Sequence, residues 1–140
     1  MLATYLLDTS AYWRIRRDAD LQKAWSRELS EGVIALSEAT RLEILHSARN
    51  GAERLEMAEL LDTLFAPVSF HSALWPWVDA AQQRMADRSQ RCAGVIDLMT
   101  AALAVERGLI VLHDDKDFST AARVIPELRQ YRITAGLDES

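Results

Sequence analysis

A single cysteine, Cys92, excludes an internal disulfide and leaves a metal site in these 140 residues to oxygen ligands. No apolar run approaches the roughly 20 residues that a membrane helix needs. The opening residues lack the basic start and long apolar stretch of a signal peptide, so no membrane role and a reducing, cytoplasmic setting are expected. The three prolines and five glycines never cluster into a linker. Lysine is scarce as well: only Lys23 and Lys116 are lysines, against fourteen arginines. A basic surplus is also missing. The net charge of −5 runs against the basic footprint usual in nucleic-acid binders. That objection weakens if the acids gather at one metal site, where two divalent ions would offset roughly four charges.

What remains is an ordinary globular composition, 49% hydrophobic and 26% charged, at a length suited to one domain. Short apolar runs alternate with helical patterns. Thr4–Leu7, Val33–Leu36, Val68–Phe70 and Leu109–His113 read as strands. Helices are expected over about Ser10–Arg17, Ala19–Ser30, and from Ser37 as N-cap to the stop signal Asn50-Gly51. Further helices are expected over about Ala52–Phe65 (with Leu55, Ala58, Leu61 and Leu64 or Phe65 on one face), Pro76–Gln90, Ile96–Arg107 ending at Gly108, and Phe118–Val124. This alternation predicts an α/β fold, a central parallel sheet of about four to five strands with helices on both faces. Residues 1–135 are expected to form the domain and 136–140 a flexible tail.

Four acids stand out, each in its own setting. Asp8 directly follows the first strand and precedes a helix; it reads either as a helix cap or as a metal ligand steadied by Thr9 or Ser10. Glu43 borders the apolar stripe Ala39, Leu42, Leu45 and Ala48, where an acid needs a partner or a metal. Asp97 opens a nearly all-apolar helix; the helix dipole favours it there, and it also points toward the strand ends. Thr100, one turn on, could support a ligand water. His113-Asp114-Asp115-Lys116-Asp117 packs three acids into four residues after a core strand, more like charge than a solvated loop usually holds. In open α/β sheets ligands bind at the carboxyl ends of the strands. Carboxylates gathered there repel one another unless divalent cations neutralise them. Magnesium or manganese chemistry is therefore expected. Such metal-activated water needs no histidine base, which suits a chain whose His46, His71 and His113 form no ligand pattern.

The ordered set resembles the PIN domain, and more narrowly the VapC toxins of bacterial toxin–antitoxin modules. The matching stretches are Leu6-Leu7-Asp8-Thr9-Ser10, Glu43-Ile44-Leu45, Asp97 to Ala102, and Val111-Leu112-His113 with Asp115-Lys116-Asp117-Phe118, so that about residues 4–133 are covered. The resemblance implies a metal-dependent endoribonuclease acting on structured RNA such as tRNA or rRNA, inhibited by a VapB-like antitoxin and usually homodimeric. It also implies that Asp8, Glu43, Asp97 and Asp115 bind Mg2+ or Mn2+, with Asp117 assisting. Asp114 stands where the family more often has a tyrosine, which leaves open which of Asp114, Asp115 and Asp117 meets the metal. The number of ions stays open too.

Two basic sets could hold RNA phosphates: Arg14, Arg16 and Arg17 after Asp8, and Arg84, Arg88 and Arg91 before Asp97. Solvated helix faces are the plainer reading of both. In Trp75-Pro76-Trp77 the two rings cannot both face one core from a helix; one is expected at a dimer or antitoxin surface. The alternatives are a phospho-accepting receiver domain and a PIN-like module that binds RNA or protein without cutting. A receiver needs its acidic pair after the first strand, where this chain has Asp8-Thr9-Ser10.

Overall fold

The computed structural model describes residues 2–135, so the tail expected at 136–140 lies outside the described residues. Five strands form one sheet: β1 (Tyr5–Leu7), β2 (Ile34–Ser37), β3 (Ala66–Val68), β4 (Ile110–His113) and β5 (Gln130–Arg132). Every pairing is parallel and the order is β3-β2-β1-β4-β5. A flavodoxin-like receiver would be ordered 2-1-3-4-5. The strand order therefore removes the receiver alternative.

The central strands β2, β1 and β4 are covered on both faces, which is why they are largely apolar, whereas the edge strand β5 is Gln-Tyr-Arg and mostly exposed. Alternation along each strand divides the core. Leu6, Ala35 and Val111 face α6 (Trp75–Asp87), α7 (Val95–Arg107) and α8 (Lys116–Val124). Leu7, Ile34, Leu36 and Leu112 face α1 (Thr9–Arg16), α2 (Ala19–Ala24), α4 (Glu38–Leu45) and α5 (Gly51–Leu64). Because all strands run the same way, β1 and β4 end side by side, and Asp8 N–H donates to the Leu112 carbonyl at 2.9 Å. This single juxtaposition carries Asp8 and the 113–117 acids to one edge of the molecule.

Several local expectations need correction. The helix expected over 19–30 breaks at Trp25 into α2 and α3 (Ser26–Glu31), because that side chain turns inward. Its indole N–H donates to the Ile133 carbonyl at 3.2 Å, and its ring meets Tyr5 and Tyr131 edge-on. Asn50-Gly51 starts a helix instead of stopping one: α4 ends at Leu45, and Asn50 Oδ1 accepts from Glu53 N–H at 2.9 Å. The apolar stripes hold at Leu45, Leu61 and Phe65 but are shifted elsewhere. Leu42 is 53% and Leu55 68% exposed, while Thr40, Ile44 and Leu45 of α4 and Met57 and Leu61 of α5 are buried. The strand expected at 68–70 lies at Ala66–Val68. The α7 stop is as expected, with Gly108 in the left-handed region at φ 66°.

Candidate active site

Asp8, Asp97 and Asp115 each occupy a helix start, so the capping and the ligand readings describe the same side chains. Asp8 caps α1: its Oδ2 accepts from Ser10 N–H at 3.1 Å and from the Ser10 hydroxyl at 2.6 Å. Asp97 closes a capping box on α7, accepting from Gly94 N–H at 3.1 Å through Oδ2. Asp115 caps α8, accepting from Asp117 N–H at 2.9 Å through Oδ1. In each case one carboxylate oxygen is held by the local backbone. The other has no hydrogen-bond partner among the described residues.

The electrostatics show that these acids sense one another. Burial pushes the Asp97 carboxyl up to about 6; the Gly94 hydrogen bond opposes this, and the charges of Asp8, Asp115 and Asp117 add to it. Burial also raises the Asp8 carboxyl; the Ser10 hydrogen bonds and the nearby Thr9 amide pull the other way, and Glu43 adds to the rise. Glu43 itself is exposed on α4 rather than bordering the core. Its charge acts on this group through Asp8. Among the described residues no three acids, histidines or cysteines are drawn together tightly enough to enclose an ion. The donors therefore suit a divalent cation in kind, all carboxylate oxygen with mutual repulsion to relieve, but they do not form a closed chelate.

Ser10 joins two strand ends. Its hydroxyl donates to Asp8 and accepts from Asp114 N–H at 2.9 Å. The Asp114 carboxylate, only 10% exposed, lies 3.5 Å from Arg14 and 3.2 Å from Arg132. Asp114 is thus matched by two guanidinium groups, which neither Asp115 nor Asp117 has among the described residues. Thr100 is buried and its hydroxyl donates to the Ile96 carbonyl at 2.9 Å. Thr9 is half-buried in the first turn of α1, and Asp117 is half-buried in that of α8.

The arginines separate by environment. Arg14 is occupied by Asp114 and Asp18, Arg16 lies against Tyr12 and the Trp13 ring, and Arg84 grips Glu127 and the Val124 carbonyl. Arg17 makes one long hydrogen bond, 3.5 Å to the Trp13 carbonyl. Arg88 and Arg91 are exposed, with no ion pair among the described residues. Of the paired tryptophans, Trp77 packs on the core while Trp75 is 46% exposed, its edge on Phe70. Sequence reasoning missed the roles of His113, Gln130 and Arg132 around the acids. Gln130 and Arg132 lie on β5, a three-residue strand too short to show a period.

Comparison with known proteins agrees with this geometry. A PIN-domain profile matches residues 5–124. Ribonuclease VapC51 of Mycobacterium tuberculosis is 37% identical over 139 residues, covering 97% of this chain and 98% of its own. Ribonuclease VapC6 of the same organism is 34% identical over 110 residues, 78% of this chain and 87% of that protein. The fold also matches the DNA-bound VapBC structure from Salmonella typhimurium at a TM-score of 0.75, with 17% identity over 94% of this chain and 98% of that one. A strand order that sets Asp8 beside the 113–117 acids, and relatives along nearly the whole chain, lead to one conclusion: the protein belongs to the PIN-domain family, among the VapC ribonucleases.

Proposed function

We propose that the protein is a metal-dependent endoribonuclease, the toxin of a VapBC-type pair, with its reaction centred on Asp8, Asp97 and Asp115. The observation that carries this reading is the set of three helix-capping carboxylates, each with one oxygen fixed and one free. Asp8, Asp97 and Asp115 would hold Mg2+ or Mn2+, with Glu43 and Asp117 at the margin. Held there, the ion would supply a water of lowered pKa and would stabilise the leaving oxygen. The chain's own part is positional. Ser10 aims Asp8, Gly94 aims Asp97, and the α8 turn aims Asp115. The raised affinity of Asp97 for a proton means that it must lose that proton before it can serve as a ligand.

Arg88 and Arg91, exposed on the approach to α7, are the basic residues best placed to meet RNA phosphates. Arg91 also lines a depression of about 330 Å³ together with Gln82, Gln83 and Gln90, floored by Met85 and Leu98. Relatives named as ribonucleases and neighbours solved as VapBC complexes support both the RNA substrate and a VapB-like antitoxin as partner. A structured RNA, tRNA or rRNA, is the substrate class in this reading. An apolar depression of about 260 Å³ between α1 and α5, lined by Tyr12, Ile15, Leu29, Leu60 and Leu64, offers the antitoxin a seat for apolar side chains. Exposed Trp75, Val95 and Ile96 support the expected homodimer. No helix among the described residues is long and apolar enough to cross a membrane.

Induced expression in a bacterial host tests this reading. Wild-type protein should halt growth and protein synthesis, whereas Asp8→Asn and Asp97→Asn, accumulated to the same level, should not. Equal arrest by the acid variants would remove the proposed centre.

A further inference from the structure

His113 is fully buried at the end of β4, with its ring tilted against Phe118 at 5.3 Å. It is tied on both nitrogens. The backbone N–H of Asp115 donates to Nδ1 at 3.1 Å, and Nε2 lies 2.6 Å from Gln130 Oε1. A backbone amide can only donate, so Nδ1 must present a lone pair. The proton of the neutral ring therefore sits on Nε2 and is given to the Gln130 carbonyl oxygen. Gln130 stands on β5, so the neighbouring strand supplies the acceptor that steadies the tautomer able to accept from Asp115. From there Asp115 N–H fixes the turn in which Asp115 Oδ1 caps α8, leaving Oδ2 free.

We infer that His113, locked by Gln130, is a positioning residue that orients Asp115 toward the bound divalent ion through the Asp115 backbone. This rests on the reading above that Asp115 is a ligand. The logic matches that of groups behind metal ligands generally, whose removal typically lowers metal affinity by about 10–100-fold. Removing the Gln130 acceptor leaves a buried Nε2–H unsatisfied. The ring then gains by turning or by exchanging its tautomer, and either change withdraws the lone pair from Asp115 N–H.

Two measurements on the full-length protein test the inference. In ion-free protein with 15N-labelled histidine, the His113 resonances should report a neutral ring protonated on Nε2. A ring protonated on Nδ1 overturns the inference outright. In Mn2+ titrations by calorimetry, Gln130→Leu, on an edge strand and tolerant of the change, should bind about tenfold more weakly. Its metal-free melting temperature should fall by only a few degrees, the cost of one unpaired buried donor, so that it stays folded during the titration. His113→Gln, which keeps a group near Nε2 but none at Nδ1, should bind weakly too. His113→Asn, which restores an acceptor at the Nδ1 position, should recover most of the affinity. Wild-type affinity in both Gln130→Leu and His113→Gln, beside weakened Asp115→Asn, overturns the positioning role alone. Wild-type affinity in Asp115→Asn overturns the ligand assignment of Asp115, and the positioning role with it.

Discussion

Asp97 shows how one carboxylate serves folding and chemistry with opposite demands. It completes the α7 capping box, yet burial and three neighbouring acids push its carboxyl up to about 6. A carboxyl raised in the folded state stabilises the protein fully below its unfolded value near 3.8, and that contribution is lost as pH rises through about 6. Metal-free protein should therefore melt at a higher temperature at pH 5 than at pH 7.5, as far as this group governs it. Asp97→Asn keeps an oxygen for Gly94 N–H and removes the charge. It should raise the metal-free melting temperature at neutral pH by about 4 °C, for about 1 kcal/mol after allowing for solvent screening. It should also flatten that pH dependence. An unchanged or lower melting temperature in differential scanning calorimetry with chelator would show that the acids do not crowd Asp97. Ser10→Ala tests the next link. With the hydroxyl gone, both Asp8 and the Asp114 amide lose a partner, and Mn2+ affinity should fall about tenfold. Calorimetric affinity equal to wild type would mean that the hydroxyl does not aim Asp8.

At the scale of elements, helix ends explain most of what could and could not be read from the sequence. Gly108 follows α7 in the left-handed region with open space where a side chain would begin. Gly108→Ala should cost about 1 kcal/mol from backbone strain alone and lower the melting temperature by about 4 °C. A neutral result in thermal melts would place that strain elsewhere. The α7 stop was legible because glycine after an apolar helix has one common use. Asn50-Gly51 was misread because asparagine serves both ends of helices; only the Glu53 amide above it decides for a start. The shifted stripes of α4 and α5 share one cause, since leucines such as Leu42 and Leu55 also lie exposed on solvent faces. The candidate acids were legible because each follows a strand or opens a helix. The groups around them were not, since Gln130 reaches His113 and Arg132 reaches Asp114 only through the β4–β5 pairing. Trp25 broke a helix for a similar reason: its bond to Ile133 spans 108 residues of sequence.

For the molecule as a whole, the net charge of −5 and a nuclease function are reconciled by where the charges lie. Acids collect at the ends of β1 and β4, while Arg88 and Arg91 stay exposed beside α7. Replacing both arginines by alanine should weaken RNA binding and reduce its dependence on log salt by up to about 1.4, roughly 0.7 for each single-strand phosphate left unneutralised. An unchanged slope in filter-binding titrations across salt would remove them from the RNA path. Whether the three capping carboxylates cut RNA with a divalent ion is tested by incubating a mixed tRNA and rRNA pool with purified protein and Mg2+ or Mn2+, beside Asp8→Asn and a chelated control. Discrete fragments from wild type alone, at least about 100-fold reduced in Asp8→Asn and lost in chelator, are the predicted result. Cleavage that persists in chelator or in folded Asp8→Asn would contradict it, as would intact RNA across the whole pool.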